Sequence, residues 1–266
     1  MAPALPRYTP YRDVNIILHR LRTDVESILG EQFIGLYLYG SLSLGDFNPE
    51  TSDVDFLVVT KDDLPAETLA GLQAMHRAIA KSNLPFAQQL EGSYIPQIAL
   101  RRHDPDHSTH PYINSHDSHD ENEITVRVEP HGSDWDIQRY IVREHGVVIA
   151  GPPPNTLIDP IPPEAIQAGV KTLLYGWWAE MLHSPLLSEA DYQAFAILTM
   201  CRMRYTLEHG TVVSKPVAAQ WALSTLEPRW AWLIKWALAY PALPPRDTID
   251  EVRAFIRETM VKGKGK

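Results

Sequence analysis

Residues 39–59 read YGSLSLGDFNPETSDVDFLVV. Gly40-Ser41 closes one apolar run, 33–39, and Asp53-Val54-Asp55 opens another that continues through Phe56-Leu57-Val58-Val59. Side chains alternate along a strand, so Asp53 and Asp55 are expected on one face and Val54 on the other. The result is an acidic tip on a buried strand. Such a pair suits a divalent cation carrying phosphate, because Mg²⁺ prefers hard oxygen donors and keeps part of its shell for the ligand's phosphates. Gly40 and Ser41 make a turn small enough for backbone and hydroxyl to approach a phosphate.

Outward from this stretch, the apolar residues of 11–30 (Val14, Ile17, Leu18, Leu21, Val25, Ile28, Leu29) fall on one helical stripe, with Gly30 as the stop. The run 33–39 has the length and composition of a buried strand, and 42–52, with Gly45, Asn48, Pro49 and Ser52, that of a loop. A second strand is expected over 53–60. A helix over 66–82 follows, with Leu69, Leu72, Met75, Ala78 and Ile79 inward, then a third strand over 86–95 with Glu91 in its middle. Two readings of Glu91 stand: a carboxylate facing water on an edge strand, or one that needs a metal or a reacting hydroxyl as partner.

Residues 103–119 hold five histidines (His103, His107, His110, His116, His119) among aspartates, serines and prolines. The His spacing could bind zinc on a helix, but Pro105 and Pro111 oppose a helix, which leaves a solvated insertion as the other reading. A short strand over 124–128, a helix over 134–145 capped by Ser133 or Asp134, and a strand over 147–150 follow. Residues 151–163, GPPPNTLIDPIPP, hold six prolines and can continue neither helix nor strand. The domain boundary is placed there, giving domains 1–157 and 158–266. Everything beyond reads as helix, over 164–183, 189–209 with Gly210 at its end, 216–226, 228–240 and 247–261, a bundle of about five. Six of the seven tryptophans lie in this half, most of them expected in its core.

Composition narrows the function. The net charge is −9, but residues 1–160 carry 12 Lys+Arg against 23 Asp+Glu, and residues 161–266 carry 12 against 10. An acidic N-terminal half disfavours nucleic acid, which is bound by neutralising phosphates, and favours a cationic small molecule. No stretch approaches the ~20 apolar residues of a membrane span, and the N-terminus lacks the apolar run of a signal peptide. The single cysteine, Cys201, excludes an internal disulfide. These features lead us to expect a cytoplasmic monomer with no membrane or nucleic-acid partner.

The order helix, strand, Gly-Ser, loop, strand with Asp-x-Asp, helix, strand with a carboxylate resembles the nucleotidyltransferase superfamily that shares the DNA polymerase beta palm. The pattern stands here as Gly40-Ser41, Asp53-x-Asp55 and Glu91. Within it, LYGS, SDVDFLVV, the GP…DP linker and RMRYTLEHGTVVSKPVAAQWAL at 202–223 resemble the streptomycin/spectinomycin adenylyltransferases. The resemblance implies an α+β fold, a polymerase-beta-like domain with a mixed sheet followed by a C-terminal α-helical bundle. It implies ATP as co-substrate with Mg²⁺ held by Asp53, Asp55 and Glu91, and Glu91 as the base that takes the acceptor's proton. It implies that Gly40, Ser41 and Lys215 meet the ATP phosphates from the two halves of the chain. Arg202 either joins them or pairs locally, and Asp134 either contacts nucleotide or caps its helix.

The stretch 182–191, LHSPLLSEAD, departs from the streptomycin-modifying pattern: a Trp is absent locally, although Trp178 precedes it, and Glu189 and Asp191 are the acidic candidates. The expected acceptor is therefore spectinomycin or another hydroxylated, cationic small molecule. Other readings are AMP transfer to a protein of antitoxin or regulator type, and a nucleotide-binding module without catalysis. Retention of three carboxylates weighs against the last.

Overall fold

The computed structural model describes residues 6–114, 124–132, 134–242 and 248–264. His116, His119 and Ser133, singled out above, lie outside the described residues. The chain divides into two compact units, Met1–Pro160 and Ile161–Lys266.

The first unit opens with α1 (Arg12–Leu29), whose apolar stripe Val14, Ile17, Leu18, Leu21 and Val25 is wholly buried. There follow β1 (Phe33–Leu38), α2 (Gly40–Leu44), β2 (Val54–Thr60), α3 (Ala66–Ala80), β3 (Leu90–Pro96), α4 (Gln97–Arg101), β4 (Thr109–Asn114), β5 (Arg127–Pro130), α5 (Trp135–His145) and β6 (Val147–Ala150). The strands form one mixed sheet in the order β5-β4-β3-β2-β1-β6. The pair β2/β3 is parallel, with α3 as its crossover, and the other pairs are antiparallel. On one face Leu36, Leu38, Phe56, Val58 and Tyr94 join α1 and α3 in a single apolar core. His76 of α3 stacks on Phe56 and bonds the Tyr94 hydroxyl at 2.7 Å within that core.

Several expectations are corrected. Gly40-Ser41 is not a bare turn: residues 40–44 form the one-turn helix α2, and the loop starts at Gly45. The third strand begins at Leu90, because Phe86 takes a left-handed φ of 60° that no extended strand permits. Glu91 is therefore its second residue, not its middle. Nor is β3 an edge, since β2 and β4 flank it. Ala78 is exposed, and the buried face of α3 carries His76 instead. The histidine-rich stretch contains strand β4, with His110 buried, so it is not a wholly solvated insertion. The strand expected over 124–128 is β5, starting three residues later.

The second unit comprises α6 (Pro163–Tyr175), α7 (Trp177–Met181), α8 (Ala190–His209), α9 (Lys215–Thr225), α10 (Ala231–Ala239) and α11 (Ile249–Lys264). The single helix expected over 164–183 is broken at Gly176 into α6 and α7. Helix α8 is the hub, with α6, α9, α10 and α11 packed on it and Ile197, Met200 and Cys201 inaccessible. It ends at Gly210, whose φ of +66° is the left-handed C′ conformation expected from the sequence. Among the described residues no helix is long and apolar enough to cross a membrane.

Candidate active site

The sheet register aligns the polar residues of the first unit. Leu38 faces Phe56 across the antiparallel β1/β2 pair, and the Tyr39 N–H continues that ladder by donating to the Asp55 carbonyl at 3.2 Å. Asp55 is the direct partner of Glu91 across the parallel β2/β3 pair, and Glu91 the partner of Asn114 across β3/β4. Directly paired residues share a face. Tyr39, Asp55, Glu91 and Asn114 therefore form one row across four chain segments, on the face opposite Phe56 and Tyr94. Asp55 and Glu91 are half-buried, while Tyr39 is 6% exposed. The Tyr39 hydroxyl is pushed well above its ordinary pKa, first by burial and then by the Asp55 and Glu91 carboxylates. It stays a neutral phenol beside two acids.

Gly40 closes one end of the row. Its φ is +61°, and a Cβ there would lie 1.9 Å from Asp55 Oδ2. The carboxylate thus sits against bare backbone, a place no other residue type leaves open. The next residue, Ser41, has its Oγ buried with no hydrogen-bond partner among the described residues. Asp53 lies one residue before β2 and is half-buried. The Tyr112 hydroxyl, from β4, donates to Glu91 Oε1 at 2.7 Å.

Among the described residues no three His, Cys, Asp or Glu side chains group closely enough to form a self-contained metal cage. A cation that arrives with a triphosphate does not require one, since one or two carboxylates suffice when phosphates and water supply its other oxygen donors. The donor set fits such a cation: hard carboxylates at Asp53 and Asp55, a buried hydroxyl still without a partner at Ser41, and Gly40 keeping the approach clear. Asp134 sits at the N-terminus of α5 without making a side-chain capping bond.

One row further into the sheet lie histidines that the motif reading left aside. His131 Nε2 is 3.4 Å from Ser93 Oγ, and the His131 ring stacks on Trp135 at 3.8 Å and meets His110 at 5.0 Å. Burial, then the neighbouring His110 and Arg139, lowers the His131 pKa to about 3. Tyr112 and His131 are absent from the motif, whereas Tyr39 stands in it directly before Gly40-Ser41. Residues 109–114, THPYIN, show no polar/apolar alternation, so nothing local marks Tyr112 as a strand residue.

In the second unit, Lys215 is the first residue of α9, whose N-cap Ser214 accepts from the Val217 N–H. The Lys215 ammonium lies 4.3 Å from the centre of the Phe195 ring. Arg202 is half-buried on α8. Glu189 and Asp191 are exposed at the start of α8, and Asp191 accepts from the next backbone N–H. Trp178 is 1% exposed, stacked on Phe195 and edge-on to Trp177. It is a packing residue in this structure, and its neighbour Trp177, 44% exposed, is the indole that meets solvent.

Comparison with known proteins finds matches to both halves of the chain. Residues 18–108 match the nucleotidyltransferase domain family, and residues 156–262 match the C-terminal domain family of aminoglycoside adenylyltransferases. The chain is 27% identical to a spectinomycin 9-adenylyltransferase of Campylobacter jejuni over 79% of its own length and 78% of the relative's. It is 26% identical to an aminoglycoside (3'')(9) adenylyltransferase of Klebsiella pneumoniae over 91% and 93% of the two chains. Its fold matches the crystal structure of a spectinomycin adenyltransferase of Enterococcus faecialis with ATP and spectinomycin, with a TM-score of 0.72, 21% identity, and coverage of 93% and 98%. A nucleotidyltransferase domain followed by the C-terminal domain of aminoglycoside adenylyltransferases gives the chain the two-domain make-up of the aminoglycoside adenylyltransferases, to which it is similar over most of its length.

Proposed function

We propose that the protein transfers AMP from ATP to a hydroxyl of a cationic aminocyclitol or aminoglycoside, with spectinomycin the first acceptor to test. One observation carries the reading: Asp55 and Glu91 are direct cross-strand partners, with the Asp55 carboxylate seated against Gly40. A binding module needs acids enough for one cation. A transferase also needs a base for the acceptor hydroxyl, and Glu91 supplies it beside the acid that faces the nucleotide.

Each residue has a part in the proposed reaction. Asp53 and Asp55 would hold a Mg²⁺ ion that enters with ATP, which supplies charge neutralisation on the triphosphate. Gly40 and Ser41 leave room and a hydroxyl for a phosphate oxygen. Lys215 is a point charge for the triphosphate, a role that suits a flexible ammonium. Glu91 accepts the acceptor's proton as its oxygen attacks the α-phosphorus, and the bond to pyrophosphate breaks. Positioning and charge complementarity carry most of the barrier reduction. The net charge of −11 on residues 1–160 draws a cationic acceptor toward this domain.

The test is pyrophosphate release from ATP with a panel of acceptors that includes spectinomycin and streptomycin. Turnover that depends on a hydroxylated cationic acceptor, and that falls at least about 100-fold in Glu91→Gln, supports the reading. A Glu91→Gln variant that turns over like the wild type removes Glu91 as base.

A further inference from the structure

We propose that Tyr112 is a positioning residue for Glu91, fixing the direction in which the carboxylate faces the acceptor hydroxyl. The proposal rests on the reading of Glu91 as the base.

Tyr112 stands directly opposite Ser93, and Glu91 directly opposite Asn114. The Tyr112 side chain thus reaches Glu91 along the diagonal between neighbouring pairs. That span is too long for most side chains and suits an aromatic one. Its hydroxyl donates to Glu91 Oε1 at 2.7 Å, the usual length of an O–H···O bond. The last torsion of a glutamate is broad, so an untethered carboxylate samples many orientations about it. A tether on Oε1 removes that freedom and leaves Oε2 pointing in one direction. Strand alternation also puts Tyr112 on the same face as His110, which is 1% exposed and packs edge-on to His131. The strand bearing Tyr112 is therefore anchored on that same face by the buried His110 and His131 rings, as a positioning residue requires.

The proton balance is simple. The acceptor O–H gives its proton to Oε2 of Glu91, the resulting oxygen forms the bond to the α-phosphorus, and the bond to pyrophosphate breaks. Tyr112 keeps its own proton throughout and serves by orientation, donating to Oε1 before and after the transfer.

The experiment compares wild type, Tyr112→Phe, Glu91→Gln and the double variant as full-length proteins, by pyrophosphate release from ATP with spectinomycin. Tyr112→Phe is expected to lower kcat about 10- to 100-fold, the range for loss of one hydrogen bond to a charged group. The KM for ATP is expected to stay within about twofold, and the melting temperature close to wild type, since the ring and its packing remain. In the Glu91→Gln background the Phe substitution is expected to cost nothing further, because the tethered base is already gone. A Tyr112→Phe enzyme with wild-type kcat beside a disabled Glu91→Gln enzyme overturns this proposal and leaves the base assignment standing. A further loss in the double variant also overturns it, since Tyr112 would then act on substrate directly. Wild-type turnover by Glu91→Gln overturns the base assignment and this proposal with it.

Discussion

Replacing Gly40 and Gly45 by alanine separates backbone strain from chemistry. Both glycines have left-handed backbones, at φ +61° and +80°. An alanine at either position costs about 1–2 kcal/mol in conformational strain. Their surroundings differ. At Gly45 a Cβ meets nothing within 4 Å, whereas at Gly40 it would stand 1.9 Å from Asp55 Oδ2. Real contacts of this kind do not fall under 3.0 Å, so the Asp55 carboxylate must retreat by about 1 Å or the α2 entry must shift. Misplacing a reacting group by about 1 Å can cost on the order of 100-fold in rate. Both variants are therefore expected to melt a few degrees lower, at roughly 2–4 °C per kcal/mol for a unit of this size. Gly45→Ala should keep kcat/KM within about twofold, while Gly40→Ala should lose about 100-fold. Differential scanning fluorimetry and pyrophosphate release measure the two effects on the same samples. Equal activities for the two alanine variants would refute the placement of Asp55 in the reacting centre. Equal melting temperatures for wild type and Gly45→Ala would refute the strain common to both.

Two further outcomes follow from other parts of the molecule. His76 and His131 are each held to a pKa of about 3 by burial, against an ordinary value of 6.5. The unfolded chain binds these protons more readily, so the stability conferred by the neutral rings is complete above about pH 6.5 and is lost as pH falls toward 3, by up to ~1.4 kcal/mol per pH unit for each ring. Melting temperatures between pH 7 and 4 should therefore fall less steeply in His131→Gln than in wild type; parallel curves would show that His131 does not titrate on unfolding. Lys215→Met keeps the aliphatic stem and gives up a half-exposed contact with Phe195 that is worth only about 0.5–1 kcal/mol. It should raise the KM for ATP roughly tenfold or more while moving the melting temperature little, and an unchanged KM would remove Lys215 from the triphosphate.

The elements that position the site were legible in the sequence for a physical reason. Tyr39 and Asp53-x-Asp55 mark the facing ends of two strands whose short apolar runs are buried on both faces, and a run such as Phe56–Val59, opened by paired acids and bounded by turn residues, has the length and composition of a buried strand. What stayed illegible were relations between elements. Nothing in the spacing of Glu91 says that it pairs with Asp55, because register across a parallel pair is set by the α3 crossover and by packing on both faces, not by a local turn. The same limit hid Tyr112. Prolines at 105 and 111 read as punctuation, and the strand between 109 and 114 forms all the same because its neighbours β3 and β5 supply its partners. Trp178 shows the opposite error. An indole near an expected ligand site invites a binding role, yet its side chain is consumed by packing against Phe195 and Trp177. Motif spacing therefore located the acids, which chemistry constrains to a few residue types. It could not locate the Tyr112 phenol that tethers Glu91, because any large half-buried side chain satisfies the same local pattern, and only the register says which carboxylate its hydroxyl meets.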